Sequence, residues 1–180
     1  MGECKSNTEK VRLFFGLLAQ DEAGLDAVCA RLGLDFSPVE LRSDIIPFYQ
    51  SDYYAAEMGP NLLRQWVATS DPIFIPELAE IKVHTNRLEA VFADGSTRRV
   101  NIDPGYLSSA KVVLATTKDH AHRLYVGGGI YEEVTLHYQR PGGYEPWPWT
   151  YPDYRSPCAG AFFRALRELL RRQTRSLPPA

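Results

Sequence analysis

The sequence predicts an α+β fold built on one antiparallel sheet, and three observations carry that prediction. Apolar or alternating runs of strand length recur at residues 11–19, 62–69, 97–102 and 130–138. Two stretches with helical apolar spacing, each with its own start and stop residues, separate the early runs. Three consecutive glycines, Gly127, Gly128 and Gly129, join two alternating segments late in the chain, as in a hairpin. At 180 residues the chain suits one domain spanning 1–180, with 1–9 and 174–180 expected to fray.

Residues 11–19 read as the first strand. Asp21 then caps a helix that carries Leu25, Val28, Cys29 and Leu32 on one face and stops at Gly33. Residues 34–42 follow as a strand, with Pro38 marking an edge or a bulge. A short helix in DYYAAEMG, opened by Ser51 or Asp52, closes at Gly59-Pro60, and residues 62–69 return as a strand. Pro76 starts the clearest helix, with Leu78, Ile81, Leu88, Val91 and Phe92 at helical spacing and Asp94-Gly95 as its end. Residues 97–102 are the next strand.

Asp103-Pro104 has the form of an N-cap followed by the first helical residue, and Leu107, Ala110, Val113 and Leu114 are spaced for a helix. KVVLAT at 111–116 fits a strand as well; the helix is the favoured reading. Residues 122–126 and 130–138 form a hairpin around a three-residue glycine turn. Residues 140–157, rich in Pro, Gly and aromatics, are expected to lie over the body as an ordered loop. Ser156-Pro157 caps a final helix that turns Ala159, Phe162, Phe163, Leu166, Leu169 and Leu170 inward, with arginines outward near its C-terminal dipole. The order β-α-β, then β-α-β, predicts a ferredoxin-like split βαβ antiparallel sheet with an added C-terminal β-hairpin and terminal helix.

A net charge of −2 and a pI near 6.1 supply no field that draws the chain to nucleic acid or to a membrane surface. No run approaches the roughly 18–20 apolar residues that span a bilayer. The start, MGECKSNTEKVRLFFGLLAQ, lacks the pattern of a signal peptide. Cys4, Cys29 and Cys158 are widely spaced with no CxxC, which argues against a disulfide framework or zinc ribbon and for a reducing cytoplasm.

Residues 101–155 hold seven of the ten Tyr, two of the three Trp and three of the four His but none of the eight Phe. These aromatics carry a polar handle, as a pocket or an interface requires. Strand alternation puts His122 and Glu132 with Leu124, Ile130 and Val134 on one face of the hairpin. Arg123 then falls opposite Glu133, Tyr125 opposite Tyr131 and Val126 opposite Ile130 on the two strands. A carboxylate among aliphatic side chains needs a partner, and His122 is the diagonal neighbour of Glu132. The pair reads either as a core pair that fixes register or as a catalytic acid–base couple, His122 with Glu132.

Thr116, Thr117, Lys118 and Asp119 make a polar turn able to cradle an anion, a composition that ordinary surface turns share. His120 and His122 form an H-x-H pair, too little for a metal site to be assigned. In WPWTYPDYR the prolines hold Trp147, Trp149, Tyr151 and Tyr154 rigid ahead of Arg155, which suits stacking on a planar ligand or stapling a loop over the sheet. No Walker A loop, GxSxG or HExxH is present. Thr117-Lys118-Asp119 lacks the residue between Lys and Asp that a guanine-reading TKxD element requires.

On NIDPGYL, LATTKDHAHRLYVGGGIYEEVTL and PWTYPDYR, and on RLFFGLL, DYYAAEMG and ELAEIK, the chain resembles a bacterial family catalogued as domain of unknown function 4416. The resemblance covers nearly the whole chain. It implies a cytoplasmic protein of similar size and supplies neither an activity nor catalytic residues. The residues themselves lead to two expectations. The first is a cytoplasmic protein that holds an anionic, nucleotide-like small molecule in a polar, aromatic-lined pocket formed by residues 101–155. Lys118, Asp119, Arg123, Trp149, Tyr151 and Arg155 are its expected ligand-binding residues. The second is a non-catalytic interaction module whose Tyr, Trp and Arg side chains meet a protein partner, a second copy of the chain included. Neither names a cofactor, and enzyme status is left open.

Overall fold

The computed structural model describes residues 10–49, 57–95 and 97–176, so residues 1–9 and most of the helix expected in DYYAAEMG lie outside the described residues. Among the described residues nine strands form one antiparallel sheet: β1 (Lys10–Ala19), β2 (Val39–Arg42), β3 (Ile46–Phe48), β4 (Leu62–Phe74), β5 (Val100–Leu107), β6 (Lys111–Thr116), β7 (Leu124–Gly127), β8 (Ile130–Gln139) and β9 (Gly143–Pro146). With them run the helices α1 (Glu22–Asp35), α2 (Leu78–Phe92) and α3 (Pro157–Ser176). The strand order is β2-β4-β1-β5-β6-β8-β7, with β3 on β4 and β9 on β8. The α1 connection leads from β1 past β4 to β2, and the α2 connection leads from β4 past β1 to β5.

β1 is central, and every residue from Val11 to Ala19 is buried because the sheet is covered on both faces. Phe15 and Leu17 pack with Leu25, Leu32 and Leu78 of α1 and α2. Phe14 and Trp66 pack with Phe162, Phe163 and Leu166 of α3 on the other side. The caps read from sequence form: the Asp21 carboxylate accepts from the Gly24 N–H at 2.7 Å, and the Ser156 hydroxyl accepts from the Ala159 N–H at 3.1 Å. α1 continues past Gly33 to Asp35, so the second strand starts later than expected, at Val39. On α2, Leu78, Ile81 and Leu88 are buried as expected, but Val91 is 70% exposed. Lys82 and Glu89 take places on the buried stripe instead.

The helix favoured at 103–114 does not form. Residues 100–107 and 111–116 make the β5–β6 hairpin, and Asp103-Pro104 sits in mid-strand against Gly16 and Phe15 of β1. Tertiary packing decides this. Gly105 lies so close to the Phe14 ring and the Val113 carbonyl that only a strand without a side chain there fits between them. The glycine turn is also tighter than expected: Gly128 and Gly129, at φ of 62° and 78°, make a two-residue turn with Gly127 facing Ile130. Val126 therefore bulges out of register, while Tyr125 still faces Tyr131.

Candidate functional site

The site begins with a missing N–H. β5 and β6 pair at only three positions, Gly105–Leu114, Tyr106–Val113 and Leu107–Val112. The next bonded position toward the sheet end would be Pro104, which has no N–H to donate, and the ladder stops there. β5 stays with β1 as far as Val100, and β6 stays with β8 as far as Thr116, so the sheet opens between them.

Backbone groups on the open edge of β5 still need partners. α2 supplies them: Glu89 Oε1 accepts from the Ile102 N–H at 2.7 Å, and Lys82 Nζ donates to the Ile102 carbonyl at 3.1 Å. Lys82 also reaches Asp103 Oδ1 at 3.1 Å, while Asn101 donates to Asp103 Oδ2 at 2.6 Å. Across the sheet, Arg64 of β4 pairs with Asp153 at 2.7 Å, both nearly fully buried, in the 3-10 turn Pro152–Arg155. Gly16 makes room for them, since a Cβ there would stand 2.7 Å from the Tyr154 hydroxyl and 3.0 Å from the Arg64 guanidinium.

The opening encloses about 320 Å³, at the lower end of small-molecule sites. One wall is Arg64, Lys82, Glu89, Asn101 and Asp103; the other is Thr116, Lys118, Arg123, Glu133 and Tyr151. Counting Arg98 and Asp153, five cationic and four anionic side chains line it, a formal excess of one positive charge. Burial pushes the Asp103 carboxyl up, but Lys82 and Arg64, with the hydrogen bonds from Lys82 and Asn101, outweigh it and hold the group below its ordinary value. For Glu89, burial wins over Lys82 and raises the carboxyl.

A raised folded-state value means that folding takes up a proton between the ordinary carboxylate range and the raised one, so stability falls as pH rises through that interval. The Glu89→Gln variant keeps an acceptor for the Ile102 N–H. Denaturant midpoints measured from about pH 5 to about pH 8 should decline less in that variant than in the parent chain. Equal declines would remove Glu89 from the balance. Asp103, shifted the other way, loses its contribution only as pH falls below the ordinary carboxylate range.

Arg123 organises the second wall. Its Nε donates to Glu133 at 2.7 Å, and its other nitrogens donate to the Lys118 carbonyl and the Tyr151 hydroxyl, each at 2.9 Å. Glu133 also meets His122 Nε2 at 3.1 Å and the Thr135 hydroxyl at 3.2 Å. The expected His122–Glu132 couple is therefore replaced by His122–Glu133. β7 begins only at Leu124, and the chain turns at His120–Arg123, with the Arg123 N–H donating to the His120 carbonyl at 2.9 Å. Strand alternation does not extend to His122. Glu132 keeps its place on the apolar face with Ile130 and Val134; burial raises its carboxyl, opposed by Lys111.

Of the expected ligand-binding residues, Lys118, Arg123 and Tyr151 line the opening, and Asp119, Trp149 and Arg155 do not. Trp149 and Arg155 serve an edge. β7 and β9 pair in succession with one side of β8 and leave the carbonyls of Val134 and Thr135 between them. The Trp149 indole takes the first at 3.1 Å and the Thr150 hydroxyl the second. Arg155 clamps this insert through the carbonyls of Trp147, Pro148 and Thr150 at 2.9–3.0 Å. The rings of His120, His122, Trp149, Trp147 and His137 stack into one column along it, with centroids 4.1–5.9 Å apart.

Arg64, Lys82, Glu89, Arg98 and Asn101 are among the site residues that the sequence reading missed. For Lys82 and Glu89 a signal existed, since charged residues seven apart on the apolar stripe of a helix must be buried and therefore paired. Among the described residues, no three His, Cys, Asp or Glu side chains gather as a metal site requires. A family model described as Domain of unknown function (DUF4416) matches residues 9–170. Neither the curated proteins nor the solved structures include a match to the chain.

Proposed function

The chain belongs to the DUF4416 family, and from its cavity we propose that it binds an anionic, nucleotide-like small molecule in the opening between β5 and β6. One observation carries this reading: Arg64, Lys82, Arg98, Lys118 and Arg123, drawn from separate parts of the chain, converge on one concave space with a net positive lining. Phe48, Tyr151 and Tyr154 supply the aromatic surface against which a planar group can rest. Placement in the cytoplasm belongs to the same proposal and fits Cys29 and Cys158, both free thiols that burial pushes up. Among the described residues, no helix is long and apolar enough to cross a membrane.

A thermal-shift series with inorganic phosphate, sugar phosphates and nucleotides tests the proposal. A ligand at 100 times its dissociation constant adds about 2.7 kcal/mol, worth roughly 5–10 °C for a domain of this size. Lys118→Ala, an exposed position at the mouth, should lose that shift and keep the unliganded melting temperature. Arg155→Ala should melt lower and keep the shift. If no compound shifts the parent chain, the proposal fails. The interaction module is then the better reading, since Leu124 and Tyr125 stand 76% and 62% exposed on the edge strand β7.

A further inference from the structure

Charge is not spread evenly through the opening. Thr117 and Lys118 are exposed and mark its mouth, whereas Arg64, Asn101, Asp153 and Tyr154 are buried at its far end. The mouth segment, residues 114–118, contributes hydroxyls and a lysine but no carboxylate. Its turn is preformed: the Lys118 N–H donates to the Thr116 hydroxyl at 3.2 Å, and Arg123, paired with Glu133 at 2.7 Å, pins the Lys118 carbonyl at 2.9 Å. Beyond the mouth stand Asp103, Asp153 and Glu89, paired with Lys82, Arg64 and Arg98 respectively. Asp103 is fixed as an acceptor by Lys82 and Asn101 and held in its ionised form.

Tyr154 adds an unmatched hydrogen-bond donor there. It is 4% exposed and lines the opening, yet its hydroxyl makes no well-formed hydrogen bond among the described residues. Arg64 and the Trp66 indole beside the hydroxyl are donors only, and Asp103 and Asp153, whose charges reach it, accept no hydrogen bond from it. Buried hydroxyls are normally paired. A phosphate placed there would find Arg64 and Lys82 already engaged by Asp153 and Asp103, whereas a ligand hydroxyl could donate to Asp103 and accept from Tyr154.

We infer that the ligand is a hydroxyl-bearing phosphomonoester, bound with its phosphate at the Thr116–Lys118 mouth and its hydroxyls directed inward to Asp103 and Tyr154. The inference rests on reading the cavity as an anion site and adds the ligand's class and direction. A free sugar phosphate and a nucleoside monophosphate share this chemistry, so both belong in the test.

Titration calorimetry with inorganic phosphate, ribose, ribose 5-phosphate and adenosine monophosphate, on the parent chain and on Tyr154→Phe and Lys118→Ala, decides it. At least one ester should bind at least about tenfold tighter than inorganic phosphate, and ribose should not bind. Whichever ester is tighter identifies the source. Tyr154→Phe should weaken that ester about tenfold and leave inorganic phosphate unchanged. Lys118→Ala should weaken every phosphate-bearing probe. Equal affinity for phosphate and esters, or an ester indifferent to Tyr154→Phe at an unchanged melting temperature, overturns the inward hydroxyl end and leaves the anion site standing. No binding by any phosphate-bearing probe removes the anion site as well.

Discussion

Gly105→Ala is expected to cost about 3 kcal/mol or more, at the upper end for an overpacked core. The added Cβ would stand 2.4 Å from the Val113 carbonyl oxygen and 2.5 Å from the Phe14 ring. Neither neighbour can yield cheaply. Val113 faces Tyr106 in the last part of the β5–β6 ladder, and Phe14 is wedged between that ladder and Phe163, its ring centroid 5.1 Å away. At roughly 2–4 °C per kcal/mol the melting temperature should fall by roughly 6–12 °C. Gly33→Ala is the control: nothing lies within 4 Å of the new methyl and the position is helical, so it should be neutral or stabilise by up to about 1 kcal/mol. Comparable losses in both variants would show that close approach is not what holds the hairpin.

The same glycine explains where the sequence was and was not readable. Residues 11–19 announce a strand buried on both faces because nothing polar but Arg12 interrupts them, and the caps at Asp21 and Ser156 are local devices that need no tertiary context. Asp103-Pro104 is locally indistinguishable from a helix start. What makes it mid-strand is β1 on one side and the Phe14 ring over Gly105, neither of which lies nearby in sequence. The partner of His122 differs for the opposite reason: strand alternation does not reach it, because β7 begins at Leu124 and the chain turns before it. Lys118 and Arg123 line the opening where a short polar turn and a cross-strand pair put them, and Tyr151 where the proline-held aromatic run brings it. The Arg64–Asp153 pair joins β4 to the chain just before α3, and no local pattern in either segment points to the other.

Glu133→Ala is expected to destabilise by about 3–5 kcal/mol, because it strands the buried Arg123 guanidinium without its carboxylate. Glu133→Gln should cost less, since an amide oxygen still accepts from Arg123 or Thr135 while the charge is gone. Stability alone does not separate a scaffold from a binding wall; the sign of the change in anion affinity does. Glu133→Gln removes one negative charge from the lining and leaves Arg123 in place, so inorganic phosphate should bind more tightly than to the parent chain. Arg123→Ala removes a positive charge from the same wall and should weaken it. Opposite signs, measured by calorimetry on variants that remain folded by circular dichroism, would place the Arg123–Glu133 pair in the field that the ligand feels. A fall in affinity for both, in step with their melting temperatures, would reduce the pair to a brace for the 118–123 turn and leave Lys118 to carry the mouth.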